Sequence, residues 1–364
     1  MLNRLVFENL KHRPVRTLLS VSAISIEVTM ILTLVGVSRG MLDDSQRRAR
    51  GVGADIWVRP PNSSVLSFGS ASMPEKLVGF FAGQPHITLA TGSASHALGG
   101  IESITGIDFD VFSKMSGGFV FLAGAPFRHP ADMIVDERYA RQKNLSVGSV
   151  VKLVNRDWRI CGIVESGKLG HIFLPLPVVQ DLAGATGKLS QIFLKVDDST
   201  QVDAIVDSLK RKLPDYRIYS IEEFTSLFSV SNVPGLQAFI GVVVTLAVVV
   251  GFLVVFLSMY TAVLERTREI GILKSLGASP AYIMSILLRE TAVLAVAGTI
   301  AGIGVTYGTR WLVNTFAGPS LTQMIVTDWW PWSALIAISG ALLGTLYPGM
   351  KAVRQDALEA LAYE

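Results

Sequence analysis

One cysteine in 364 residues, Cys161, excludes an intramolecular disulfide framework. It lies in the strand-like run Trp158-Arg159-Ile160-Cys161-Gly162-Ile163-Val164, where a free thiol packs as a small hydrophobe. Histidine is scarce too. His12, His86, His96, His129 and His171 are scattered, with no H-E-x-x-H or ligand-like spacing, so no metal site is expected. There is no G-x-S-x-G elbow. A Walker A loop needs Ser or Thr after its Gly-Lys pair, but Gly167-Lys168 and Gly187-Lys188 are each followed by Leu. Neither a catalytic constellation nor a cofactor is therefore expected on this chain. Charge is also sparse: 17% of residues are charged, 50% are hydrophobic, and mean hydropathy is +0.46. Such a chain is too apolar to be soluble throughout, and it fits a membrane protein carrying one soluble domain. The net charge of +3 gives no sign of a nucleic-acid partner.

Apolar residues gather in four runs, 18–38, 236–264, 283–310 and 332–350. Each reaches across the hydrocarbon core of a bilayer, roughly 30 Å, at about 1.5 Å per helical residue. The first run lacks a small-residue cleavage site and contains Glu27, so it is expected to stay as an anchor. Residues 1–17 set Arg4, Lys11, Arg13 and Arg16 against Glu8, with Leu2, Leu5, Val6 and Leu10 at helical spacing. That pattern predicts a basic amphipathic helix on the cytoplasmic membrane surface. Gly298, Gly302, Gly304 and Gly308 form two small-xxx-small pairs in the third run, which permit close helix packing.

Residues 39–235 read differently, as an α+β domain large enough to bury its own core. Residues 39–50 extend the first span as a stalk. Strands are predicted over 54–59, 132–135, 150–154, 159–164, 191–196 and 216–220. Helices are predicted over 74–82, within 174–183 and over 202–212. The short loop 311–331 is rich in Trp and has no Lys or Arg after Trp311. Lys and Arg instead mark the N-terminus, the 265–282 connector and the tail 351–364. This bias predicts cytoplasmic termini and an extracytoplasmic 39–235.

The connector carries the most information. Glu265, Arg266, Arg268 and Glu269 form a polar side, while Ile270, Leu273 and Leu276 recur at helical spacing, with Lys274 among them. Gly277 suits the left-handed residue that ends a helix, and Ser279-Pro280 reads as the N-cap and first residue of the next. A short amphipathic helix under two membrane spans fits a groove on a cytoplasmic partner.

The run ERTREIGILKSLGASPAYI resembles the signature of MacB/FtsX-type permeases of ATP-binding-cassette systems, in the compact branch without a fused ATPase domain. GVGADIWVRPP, ITGIDFD, MIVDERYARQKNLSVGSVVKL and YSIEEFTSLF resemble phrases of that family's extracytoplasmic domain, in the same order. YPGMKAVRQDALEAL resembles its closing phrase, with Gly349 and Met350 in place of a small-aromatic pair. The resemblance implies a bacterial inner-membrane permease, not an enzyme, whose residues 265–277 couple to separate ABC ATPase subunits. Those partners would hold ATP and Mg. It implies mechanical transmission to the outer domain to export an amphipathic substrate, with a periplasmic accessory protein and membrane lipid as further partners. The alternative is a regulator that moves nothing and activates a cell-envelope enzyme. Four spans are few for a translocation path, so a homodimer is expected.

Glu27 stands near mid-span beside Ser22, Ser25 and Thr29. With Met30 one turn on, it is a candidate substrate-facing or gating acid, in a cleft between two copies of the chain, for an amphipathic ligand, a haem included. The competing reading is a protonated acid bonded to a neighbouring helix.

Overall fold

The structure is a computed structural model and describes residues 14–61, 63, 72–99, 102–230, 232 and 235–354. The surface helix expected over 1–17 lies outside these apart from residues 14–17. The same holds for the tail beyond residue 354.

Two compact units divide the chain. The first comprises residues up to Ser38, Gly235–Leu312 and Gln323 onward. Its helices are α1 (Pro14–Arg50, continuing beyond this unit), α8 (Leu236–Glu265), α9 (Thr267–Ser275), α10 (Pro280–Phe316) and α11 (Trp330–Arg354). All but α9 are long and apolar enough to cross a membrane. Hydroxyls tie them together. Ser20 meets Ser258 at 2.6 Å, Thr33 meets Thr309 at 3.0 Å, and buried Thr291 meets Thr345 at 2.7 Å. Thr29 donates to the Gly302 carbonyl at 3.0 Å. Such bonds between membrane helices contribute about 0.6–2 kcal/mol each. Of the four glycines in α10, Gly298 and Gly302 lie against α1, where an added Cβ would fall 2.7 Å from Ile24 Cβ and 2.8 Å from the Ser25 carbonyl oxygen. Among the described residues outside their own helix, nothing lies within 4 Å of a Cβ at Gly304 or Gly308.

The second unit, Arg39–Pro234 with Val313–Thr322, is the α+β domain. Its strands in chain order are β1 (Ile56–Arg59), β2 (Met73–Pro74), β3 (Ile87–Gly99), β4 (Glu102–Ile107), β5 (Phe121–Gly124), β6 (Asp132–Asp136), β7 (Val150–Leu153), β8 (Arg156–Val164), β9 (Ile172–Pro175), β10 (Lys188–Leu189), β11 (Gln191–Val196) and β12 (Arg217–Ser220). The main sheet runs β12-β1-β11-β3-β4-β9-β6-β8-β5, with β7 also on β8. It is mixed: β4 pairs with β9 and β6 with β8 in parallel, and the other pairs are antiparallel. The helices are α2 (Lys76–Ala82), α3 (Phe109–Met115), α4 (Glu137–Gln142), α5 (Leu176–Leu182), α6 (Val202–Lys212) and α7 (Ile221–Ser226). Three have side-chain N-caps: Asp108 accepts from Val111 N–H, Asp136 from Tyr139 N–H and Ser220 from Glu223 N–H. Trp57 stacks on Phe224 and meets Phe193 edge-on within the core.

Two expectations need correction. The strand over 150–154 ends at Leu153, because Val154 and Asn155 both take positive φ, 50° and 56°. They form the two-residue turn of the β7–β8 hairpin, as a twisted antiparallel pair requires. The central strands β3 and β4 went unpredicted. The middle of β3 is small residues, and both strands carry a glycine where a neighbour presses onto the backbone: Leu189 over Gly92 in β3, and Val179 of α5 over Gly106 in β4, where a Cβ would lie 2.7 Å from Val179 Cβ.

Candidate functional site

The connector is a capped helix, a reversal and a second capped helix. At the end of α9, Gly277 N–H donates to Lys274 O at 2.9 Å and Ala278 N–H to Leu273 O at 2.9 Å. With Gly277 at φ +90°, this is a complete Schellman motif. Ser279 Oγ then accepts from Tyr282 N–H at 3.2 Å, and Pro280 opens α10. The backbone is thus fixed on both sides of the break.

The structure places the predicted residues on three faces. Glu265, Arg268 and Glu269 are exposed, as are Leu273 and Leu276, the latter at 79%. Two exposed leucines on a polar segment are costly in water and suit a covered surface. Ile270 is buried and braces α9 from within. Lys274 is half-buried and donates to the Val353 carbonyl of α11 at 2.6 Å. Arg266 corrects the sequence reading. Expected on the polar side, it is buried, and its Nη1 donates to Glu290 Oε2 at 3.1 Å. The physical reason is periodicity: Arg266 and Ile270, four apart, share one helical face, and that face turns inward.

Glu290 is the residue that sequence reasoning passed over. It is fully buried in α10 and takes a second guanidinium, Arg16 of α1, on Oε1. The available signal was an acid about two turns inside an apolar run, with arginines at neighbouring span ends.

Glu27 is buried on α1, and a Cβ added at Gly251 of α8 would collide with its carboxyl group. Its Oε1 has no hydrogen-bond partner among the described residues. Within one chain the acid packs on a glycine of α8, while Met30, one turn on, is exposed.

In the α+β unit, His171 Nε2 lies 2.6 Å from Arg48 Nη1 and Nδ1 lies 2.6 Å from Asp136 Oδ2. A guanidinium can only donate, so Nε2 accepts and Nδ1–H donates to Asp136. Arg48 also pairs with Asp44, which Arg138 Nη1 reaches at 2.7 Å. These buried links tie the stalk end of α1 to β6 and β9. Gly162 and Gly167-Lys168 do share the glycine spacing of a phosphate loop. Gly162 sits inside β8, however, and Lys168 donates to the carbonyls of Ser116 and Gly118 instead. Burial pushes its amine below the usual lysine range.

Residues 17–212 match the model of the MacB-like periplasmic core domain, and residues 241–357 match the FtsX-like permease C-terminal model. The chain belongs to the MacB/FtsX family of ABC transporter permeases. Among its relatives, a Bacillus subtilis ABC transporter permease, YknZ, is 30% identical over 64% of this chain and 61% of its own length. The macrolide export ATP-binding/permease protein MacB of Escherichia coli is 22% identical over 99% of this chain and 60% of its own. This permease thus spans about 60% of the length of the curated relatives it matches. The solved periplasmic region of MacB from Actinobacillus actinomycetemcomitans aligns at 17% identity and a TM-score of 0.38, covering 51% of this chain and 97% of that one. In this MacB/FtsX permease, the core-domain match takes in α1 and most of the α+β unit. The FtsX-like match takes in the connector and its flanking helices.

Proposed function

We propose that this chain is the membrane subunit of an ABC export system, transmitting the ATP-driven motion of a separate ATPase to the α+β domain to move an amphipathic substrate. The observation that carries this reading is the connector. A short helix locked by a Schellman reversal and an N-cap presents Leu273 and Leu276 beside Glu265, Arg268 and Glu269. Leucines rimmed by charge fit a groove on a partner protein. In this reading the connector and both termini are cytoplasmic, the α+β domain lies outside, and ATP and Mg bind the partner. The chain works as a homodimer, with an accessory protein at the outer domain. The export described in the name of the Escherichia coli relative favours transport.

The test is co-purification of the permease with its cognate ATPase, followed by hydrolysis assays across lipids and amphipathic drugs. Stimulation by one amphiphile class supports export. Failure of the ATPase to bind, or activation of a cell-wall hydrolase without any stimulating amphiphile, overturns it.

A further inference from the structure

The buried group around Glu290 joins three elements of the helical unit. Glu290 sits on α10. Arg266 is the single residue between α8 and α9. Arg16 lies in the first turn of α1. The carboxylate divides its two oxygens, Oε1 to Arg16 and Oε2 to Arg266. The side chains of Glu290, Arg266 and Arg16 are 1%, 9% and 13% exposed. Charge-assisted bonds between groups this buried are short-ranged and directional, so the three move together or separate at high cost.

The placement matters because of what each element is joined to. The connector helix α9 is covalently continuous with α8 through Arg266 and with α10 through the Gly277 reversal. It has no covalent tie to α1. Yet α1 is the helix that runs unbroken to Arg50, about 55 Å at the α-helical rise. The Glu290 bridge provides a direct polar path from the connector to the base of that helix.

We propose that Arg16, Glu290 and Arg266 form a clamp that makes the connector and the start of α1 move as one body, so that displacement of the connector becomes displacement of α1. Arg16 and Glu290 are thus positioning residues for coupling, touching neither nucleotide nor substrate. The inference rests on the reading of residues 265–280 as the docking element for a separate ATPase. It predicts that breaking the clamp leaves docking intact, because Leu273 and Leu276 remain in place, while α1 no longer follows.

The test uses the full-length permease with its ATPase in lipid nanodiscs. Spin labels go at Val15 and Ser275, both exposed, in a Cys161→Ala background diluted with unlabelled permease so that the distance within one chain is read. The distance distribution is recorded without nucleotide and after trapping with ATP and vanadate. The unmutated clamp should give the same narrow distribution in both states. Arg16→Gln and Glu290→Gln should retain bound ATPase, yet broaden and shift the distribution on trapping. Arg16→Lys, which keeps the charge, should restore the single narrow distance. A merely structural bridge would lower thermal stability equally in both states without this nucleotide-dependent separation. If the ATPase binds and Arg16→Gln and Glu290→Gln leave the trapped distribution unchanged, the clamp is refuted while docking stands. If the ATPase does not bind even the unmutated clamp, the docking reading fails and the inference falls with it.

Discussion

Replacing Gly302 by Ala should loosen the membrane unit, whereas the same change two residues on, Gly304→Ala, should not. At Gly302 the new Cβ would lie 2.8 Å from both the Ser25 carbonyl oxygen and Val28 Cβ, against an ordinary contact of 3.4–4 Å. One neighbour is backbone and the other a β-branched root, so neither can swing aside. The two helices must part by about half an ångström. A gap of that size forfeits roughly a quarter of the dispersion well along the seam, and overpacking of this kind costs about 1–3 kcal/mol. The Thr29 bond to the Gly302 carbonyl weakens at the same time, adding up to about 1–2 kcal/mol. The expected loss is thus about 1–5 kcal/mol. At Gly304 a Cβ meets nothing within 4 Å among the described residues outside its own helix, so Ala should be neutral or mildly stabilising. Thermal unfolding of the purified full chain in one detergent, followed by intrinsic tryptophan fluorescence, separates the two. Equal melting temperatures for Gly302→Ala and the parent would refute the close approach of α1 and α10.

Other outcomes follow from single groups in the α+β unit. Val154→Asn, at φ 50° in the β7–β8 turn, should stabilise the chain by about 1 kcal/mol, read as a rise in melting temperature, because it relieves a β-branched residue at positive φ. Burial alone would raise the Asp132 carboxyl, but bonds from Arg159 and from the Arg128 and His129 N–H groups outweigh it and hold it below the usual carboxylate range. Its contribution to stability is therefore full above the unfolded carboxylate value near 4 and lost as pH falls through the lower folded value. Asp132→Asn should be less stable at pH 7, with the gap closing only in that acid window. Burial pushes the Cys161 thiol up to about 11, so maleimide should label it slowly in the folded chain at pH 7.5 and rapidly in denaturant.

The membrane helices were legible because hydropathy alone specifies them, and Gly277, Ser279 and Pro280 announced the break because each has a specific backbone use. β3 was not legible. Its run of Thr, Gly, Ser and Ala carries no alternation, and it is a strand because β11 and β4 pair on either side of it. Arg266 was misjudged because its charge suggested solvent, while its partner Glu290 lies 24 residues away, on another helix. The Asp136–His171–Arg48 network was hidden for the same reason: no spacing rule links positions that only the fold brings together. Small-xxx-small spacing found all four glycines in α10 but could not say which pair meets a helix.

The central claim is that α9 is a docking helix held in one orientation by its reversal, and Gly277→Val tests it most directly. Among the described residues, none beyond its chain neighbours comes within 4 Å of the position a Cβ would take, so the cost read from them is a β-branched residue at φ +90°. That cost is at least about 1–2 kcal/mol. The full-length variant should insert in the membrane as the parent does and lose affinity for the cognate ATPase by roughly 5–30-fold, measured by titration in nanodiscs. Unchanged affinity in Gly277→Val, and in Leu276→Asp alongside it, would contradict the claim.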